Sequence, residues 1–469
     1  MSLENQEPKK PEATESPPLF NYLREEIPLE DLRDYASPQR IESIDAVKGF
    51  AIIFIILAHA AGGWFDAQWV YIFGMVFAAL DIMGPSLFIF LSALSVIFSI
   101  KKKKGKLPDN VIRNRIFSRG ATIMLIGIIY NIFSLPNTPF PLNLWGWNIL
   151  MFIGFSQICS YYALKMSGTT RVILGLFIIF TAPDFRMFLY LEKDANLFYW
   201  ILHFLITSPA PHVTLVPWVG VIFISTIFGE MLYEAMMDGS KEYYVALCRS
   251  FIFWGAFCVL LGILLGSALQ TPDTLPVEEY PHLDVLRIMN QQDYYQFPGL
   301  PEFLIRGTVG NMFYNLGAAL LIIAIFFYLL DIKKKENLFF SMLKYYGKVS
   351  LSLFLIHYTF VPIFIGQFSI AVFPFIILAY IGFMGFFMYL WMEYWSGVGS
   401  PEWIMIQMGR VGQKTGEKVK EEAKVVGDKL EKGFKKTMDL TKKTVELTKE
   451  ELKKIKKKAP KKEENAPES

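Results

Sequence analysis

Apolar stretches long enough to cross a lipid bilayer recur along this chain from Ile44 to Trp395, and charged residues crowd between and after them. A bilayer core of about 30 Å takes roughly 20 residues of helix. Within it every backbone polar group must be satisfied inside the segment, which favours helices. Ten spans are read at 44–65, 71–100, 114–134, 147–167, 170–184, 215–236, 247–269, 310–331, 347–367 and 370–395. An eleventh apolar piece, Leu197–Ser208, is too short to cross and is expected to lie in the interface or to re-enter. The expected fold class is an all-α polytopic membrane protein with ten to eleven transmembrane helices. Bulk composition says less. The chain is 53% hydrophobic, only just above the roughly 45–50% usual for soluble domains.

The connecting charges predict the orientation. Lys101–Lys104, Lys106, Arg113, Arg115 and Arg119 follow the second span, and Lys165 and Arg171 flank the link after the fourth. Lys333–Lys335, Lys344 and Lys348 follow the eighth span, and a Lys-rich tail follows the tenth. All fall on one side if the first span starts inside, whereas loops 135–146, 185–214 and 270–309 are Pro-rich, aromatic or acidic. The positive-inside rule then places both termini in the cytoplasm of a multi-pass cell-membrane protein. The net charge of +3 says little about partners, because the positive charge is placed locally.

Residues 1–39 are rich in Pro and charge and predict a disordered cytosolic arm, with a short surface helix near Leu29–Tyr35 and no signal peptide. Residues 40–398 form the membrane domain, 399–458 a cytosolic Lys/Glu-rich helix, and 459–469 a disordered end. In the tail, apolar or Thr positions from Val419 to Leu452 alternate at spacings of four and three, an eleven-residue period suited to a nearly straight helix. An amphipathic helix on the inner leaflet and a solvated, partly coiled-coil helix both fit it. Cys159, Cys248 and Cys258 lie in or beside apolar runs; neither disulfides nor a metal site are expected.

The chemistry is concentrated in few residues. Lys48 and His59 are eleven residues apart, close to three helical turns, so both project from one face about 16 Å apart. An ionisable residue inside a membrane span is a functional candidate by default, and the alternative is a His bonded to a neighbouring helix. Asp81 stands near the outer third of span two and His357 near the middle of span nine. Asp81 also precedes Gly84-Pro85, where a structural break alone would account for it. His357 equally suits an interhelical hydrogen bond. Trp147 and Asn148 open span four beside Trp145, and His212 and Trp218 sit at the mouth of span six. The tryptophans also suit interfacial anchoring. His203 and His282 are read as surface or interface residues. On the opposite side, Arg113, Arg115 and Arg119 open span three and with Lys48 and Arg40 suit a phosphorylated donor; topology setting alone also explains them.

At these residues the chain resembles a family. Arg40…Ser43-Ile-Asp45…Lys48-Gly49…His59 resembles the first-span signature of the transmembrane acyltransferase superfamily. It is similar both to the acyltransferase-3 pattern and to the opening of the heparan-alpha-glucosaminide N-acetyltransferase-like proteins. Asp81-Ile-Met-Gly-Pro85, Trp145–Gly154, Val216-Pro-Trp218-Val-Gly220 and Gly347-Lys-Val-Ser350…His357 resemble later motifs of the latter group, in order. The heparan enzyme's own histidine between spans one and two has no counterpart in Ala60–Val70, and Phe354 replaces the usual Tyr. The resemblance therefore assigns the catalytic role to His59, as in acyltransferase-3.

The resemblance implies acyl transfer, foremost of acetyl, from cytosolic acyl-CoA to a hydroxyl or amine of an extracytoplasmic sugar. His59 would be general base or transient acyl carrier, Asp81 and His357 would support it, and Arg40, Lys48, Arg113, Arg115 and Arg119 would hold the donor's phosphates. Trp147, Asn148, His212 and Trp218 would face the acceptor. Acyl-CoA is expected as a co-substrate, with no permanently bound cofactor. Expected partners are membrane lipids, acyl-CoA and a sugar or glycan, with no nucleic acid; a homo-oligomer is compatible with the sequence. A glycan transporter or flippase also places polar groups near the midplane, but the sequence has no internal repeat or matched pair of broken helices to favour it. A non-catalytic scaffold is the third reading.

Overall fold

The computed structural model describes residues 41–103, 109–135, 138–207 and 213–408, with Lys435 and Met438 beyond. Arg40, His212, the 1–39 arm and all but those two residues of the 411–458 tail lie outside the described residues. The chain divides into one unit ending at Val411 and a second from Gly412 to Ser469. All the helices of membrane-spanning length and apolarity among the described residues belong to the first unit.

The first unit is built almost entirely of helices: α1 Glu42–Trp64, α2 Val70–Leu80, α3 Pro85–Lys103, α4 Asp109–Ser134, α5 Ile149–Ala163, α6 Gly168–Glu192 and α7 Leu197–Ile206. They are followed by α8 Leu215–Asp238, α9 Lys241–Leu265, α10 Asp284–Met289, α11 Val309–Phe327, α12 Leu338–Lys348, α13 Ser350–Ile356 and α14 Phe373–Tyr394. The described strands are β1 Leu269–Gln270 and β2 Leu300–Pro301, paired antiparallel in the long loop before α11. Among the described residues, eight helices are long and apolar enough to cross a membrane, or nine with the bent α12–α13 pair. The polytopic all-α fold is as read from the sequence.

Three of the ten expected spans differ in form. The 147–167 stretch yields only α5, about 22 Å of helix, short of a bilayer core of about 30 Å; Asn148 caps its start, its side chain accepting from the Met151 N–H at 2.9 Å. The 71–100 span is interrupted by a 3₁₀ turn, Asp81–Met83, before Pro85 restarts the helix. The 347–367 span opens on a 75° bend, with α12 almost wholly before it and α13 after it, and its outgoing end is wound as short 3₁₀ turns around Pro362. Window hydropathy registers length and apolarity, and a bend alters neither.

Small residues draw the helices together, as expected where lipid is as apolar as the side chains and close packing drives association. Gly120 of α4 faces Gly154 of α5, Gly175 of α6 faces Gly220 of α8, and Gly255 of α9 faces Gly317 of α11; a methyl on any of these six would fall within 3.0 Å of the opposing backbone carbonyl. The tightest crossing is α1 on α12. A Cβ on Gly49 would stand 1.9 Å from the Leu343 carbonyl oxygen, and one on Gly347 1.8 Å from that of Asp45. Both glycines belong to the motifs read from the sequence, and their role is this backbone contact.

Candidate functional site

The site is built around α1, which is held at both ends. At its start the backbone N–H groups of Glu42 and Ser43, which lack partners inside the helix, donate to the Asp331 carboxylate at 3.2 and 3.3 Å. Lys344 of α12 pairs with Glu42 at 2.6 Å. At the far end the Trp64 indole N–H donates to the Val361 carbonyl at 2.8 Å. The N–H groups of Gly366 and Phe368 donate to the carbonyls of Gly63 and Trp64 at 2.9 and 2.8 Å. Both clamps come from the chain on either side of α13, so α13 is seated against α1.

That seating brings together two sequence candidates 298 positions apart: His357 Nε2 lies 3.3 Å from His59 Nδ1, as the pair's hydrogen bond. His357 is fully buried, and its Nδ1 faces only acceptors, the carbonyls of Phe354 at 2.7 Å and Leu353 at 3.2 Å. Nδ1 therefore carries the proton. In the neutral ring Nε2 is then the acceptor, and His59 donates to it from Nδ1. This chain of bonds leaves the lone pair of His59 on Nε2, the form an imidazole needs to take a proton or accept an acyl group there. The Tyr380 hydroxyl donates to the His357 carbonyl. The Tyr358 ring stands edge-on to His59 with centroids 5.5 Å apart; Tyr358 is exposed and His59 half-buried.

The hydrogen-bonded partner of Asp81 is an arginine that the sequence did not single out. The carboxylate is taken by Arg306, whose Nε donates to Oδ2 at 2.6 Å and whose Nη2 donates to Oδ1. Arg306 lies in the loop before α11, 225 positions away, and its guanidinium stacks over Phe77 at 5.3 Å. A planar fork matched to a carboxylate satisfies a buried anion better than one imidazole. His282, read as a surface or interface residue, is buried at 6% exposure, its ring 5.4 Å from that of Phe77. His203, also read that way, is bound through Nε2 to the buried Glu279 at 2.6 Å, and Arg186 donates to the same residue. These partners were missed because a loop arginine gives no sequence sign of which distant carboxylate it meets.

Of the expected acceptor set, Trp147, Asn148 and Trp218 lie among the described residues. Trp147 is buried and donates to the Leu205 carbonyl at 2.7 Å. Asn148 caps α5 and donates from Nδ2 to Gly127 O at 2.8 Å and Asn131 Oδ1 at 2.6 Å. Trp218 is 1% exposed in the core. In the expected donor set Lys48 lies on the same uninterrupted helix as His59. The three arginines of α4 do not share a face, since successive residues turn by about 100°. Arg113 is exposed, and its Nη2 donates to its neighbour Asn114 at 3.5 Å. Arg115 and Arg119 are half-buried, and Arg119 Nη2 lies 3.7 Å from the Met405 sulfur.

No match is found among curated proteins. A family model does match: that of heparan-alpha-glucosaminide N-acetyltransferase, catalytic, over residues 40–261. The match takes in α1 with His59, the Asp81 break and the Gly120–Gly154 and Gly175–Gly220 crossings, and it ends before Arg306 and His357. Residues 40–261 are thus similar to the catalytic part of heparan-alpha-glucosaminide N-acetyltransferase, a transmembrane acyltransferase family.

Proposed function

We propose that this protein transfers an acyl group, foremost acetyl, from acyl-CoA on the cytoplasmic side to a hydroxyl or amine of a sugar on the other side. His59 is the reacting imidazole. As base, its Nε2 takes the proton of the acceptor as the acceptor's oxygen or nitrogen attacks the thioester carbonyl. The C–S bond breaks, and the proton returns to the departing thiolate. As carrier, Nε2 attacks the thioester carbonyl, the C–S bond breaks and the thiolate leaves; the acceptor then attacks the acyl-imidazole carbonyl, the C–N bond breaks, and the acceptor's proton goes to the thiolate. The observation that carries this reading is the His357–His59 hydrogen bond, whose direction follows from the two carbonyls on His357 Nδ1. The basic loops support the orientation. Cysteines placed at 140 and 285 are expected to label from outside and one at 420 from inside.

Loss of a general base costs about 10²–10⁴-fold in rate. His59→Ala is therefore expected to abolish measurable transfer of labelled acetyl from acetyl-CoA to a panel of glycans, with acyl-CoA binding retained. His59→Asn keeps a polar, hydrogen-bonding side chain. Near-full turnover in that variant would make His59 a structural residue and remove the reading.

A further inference from the structure

Residues 401–408 are helical and follow α14 through a turn with left-handed Ser396, Gly397 and Gly399, at φ 51°, 65° and 80°. The sequence groups them with the charged tail, yet they pack on the helical body. Ser400 and Gln407 are fully buried and Trp403 and Ile406 each 3% exposed. The Ser118 hydroxyl of α4 donates to the Met408 carbonyl at 2.7 Å.

This packing turns the Glu402 carboxylate into the bend between α12 and α13. The backbone N–H of Ser352 donates to Oε1 at 2.9 Å, and the Ser352 hydroxyl donates to Oε2. Ser352 is the third residue of α13. The first N–H groups of a helix have no partner within it and carry the positive end of its dipole, so a carboxylate there is a cap. The N–H groups of Leu351 and of Glu402 itself also favour the charged form, against burial, which pushes the carboxyl above its usual range. Helix α13 has only seven residues, ending immediately before His357. A short helix is not stable by itself and takes its position from its contacts.

We propose that Glu402 is a positioning residue of the site. By capping α13 at its start it fixes where His357 Nε2 meets His59, so the segment after the last span belongs to the site. Its importance for turnover rests on the acyl-transfer reading above; its effect on His59 does not.

The test uses the full chain in lipid nanodiscs, with Glu402→Ala, Glu402→Gln and Ser352→Ala. Two quantities are read: kcat and KM for acetyl-CoA, and the rate at which diethyl pyrocarbonate modifies His59, mapped by mass spectrometry. A misplacement of about 1 Å costs up to about 100-fold in rate. Glu402→Ala is expected to lower kcat by about 10–100-fold at unchanged KM and to slow His59 modification several-fold. Glu402→Gln restores both, because its amide oxygen accepts from the Ser352 N–H and its NH2 donates to the Ser352 hydroxyl. Ser352→Ala, which keeps the backbone bond, falls between. If Glu402→Ala does not fold, Ser352→Ala decides. A folded variant lacking the contact with wild-type His59 modification overturns the proposal. Modification that responds as expected in a protein that transfers no acetyl, wild type included, leaves the positioning role standing and removes the acyl-transfer reading instead.

Discussion

Gly347→Ala tests how strictly α1 and α12 must approach for the site to exist. The new Cβ would stand 1.8 Å from the Asp45 carbonyl oxygen and 2.7 Å from its carbon. The obstacle is backbone, so no side chain can swing away, and ordinary carbon–oxygen contact requires the helices to part by roughly 1.5 Å. Overpacking of this kind costs about 1–3 kcal/mol. The functional cost is expected to be larger, because α12 leads directly into α13. The His59–His357 bond is already at 3.3 Å, and comparable parting takes it beyond hydrogen-bond reach; misalignment by about 1 Å costs up to about 100-fold. Purified variants are to be compared by thermal melting and by transfer of labelled acetyl. Gly382→Ala serves as the control, since a Cβ there meets nothing within 4 Å. A Gly347→Ala protein that melts and turns over like the Gly382→Ala protein would refute the tight crossing. A lowered melting temperature with full turnover would refute the link from crossing to imidazole alignment.

Removing one partner of the Asp81–Arg306 pair leaves the other buried and charged, so Asp81→Asn and Arg306→Gln are each expected to cost about 3–5 kcal/mol; thermal melts of both and of the double variant should show a combined loss smaller than the sum. A chain ended after residue 411 is expected to keep its turnover and melting temperature, whereas one ended after 399 loses Glu402, Trp403 and Ile406 and is expected to lose both; equal behaviour would contradict the docking of 401–408. Arg115→Glu is expected to weaken acyl-CoA binding in titration calorimetry and the exposed Arg113→Glu to leave it unchanged; unchanged affinity in both would reduce this cluster to topology setting.

What the sequence disclosed depended on whether the signal was local. Helix α1 was legible in position and extent, because its apolar run lies in one window. His357 was legible as a candidate because a histidine in an apolar run is conspicuous, and the structure brings it to His59. The partner of Asp81 was not, because nothing near either residue marks a pairing across 225 positions. Trp147 and Trp218 suggested a polar mouth because tryptophan favours interfaces, but an indole is also large enough to fill a core, and here both are buried. Glu402 followed the last span and read as surface charge; only the 75° bend, which exposes the N–H of Ser352, gives it a buried partner.

The double tether of α1 has a consequence for the acyl transfer proposed above. A helix bound at its start by Asp331 and Lys344 and at its end by Val361, Gly366 and Phe368 is a stator, not a rocker. An imidazole fixed to such a post does not shuttle between the two faces of a bilayer. On the proposed acyl-transfer reading, the distance between donor and acceptor would then be covered by the reach of the donor's own flexible arm and by the depth to which the acceptor descends, which makes the length of each substrate, and not the stroke of this helix, the quantity that sets which molecules can react.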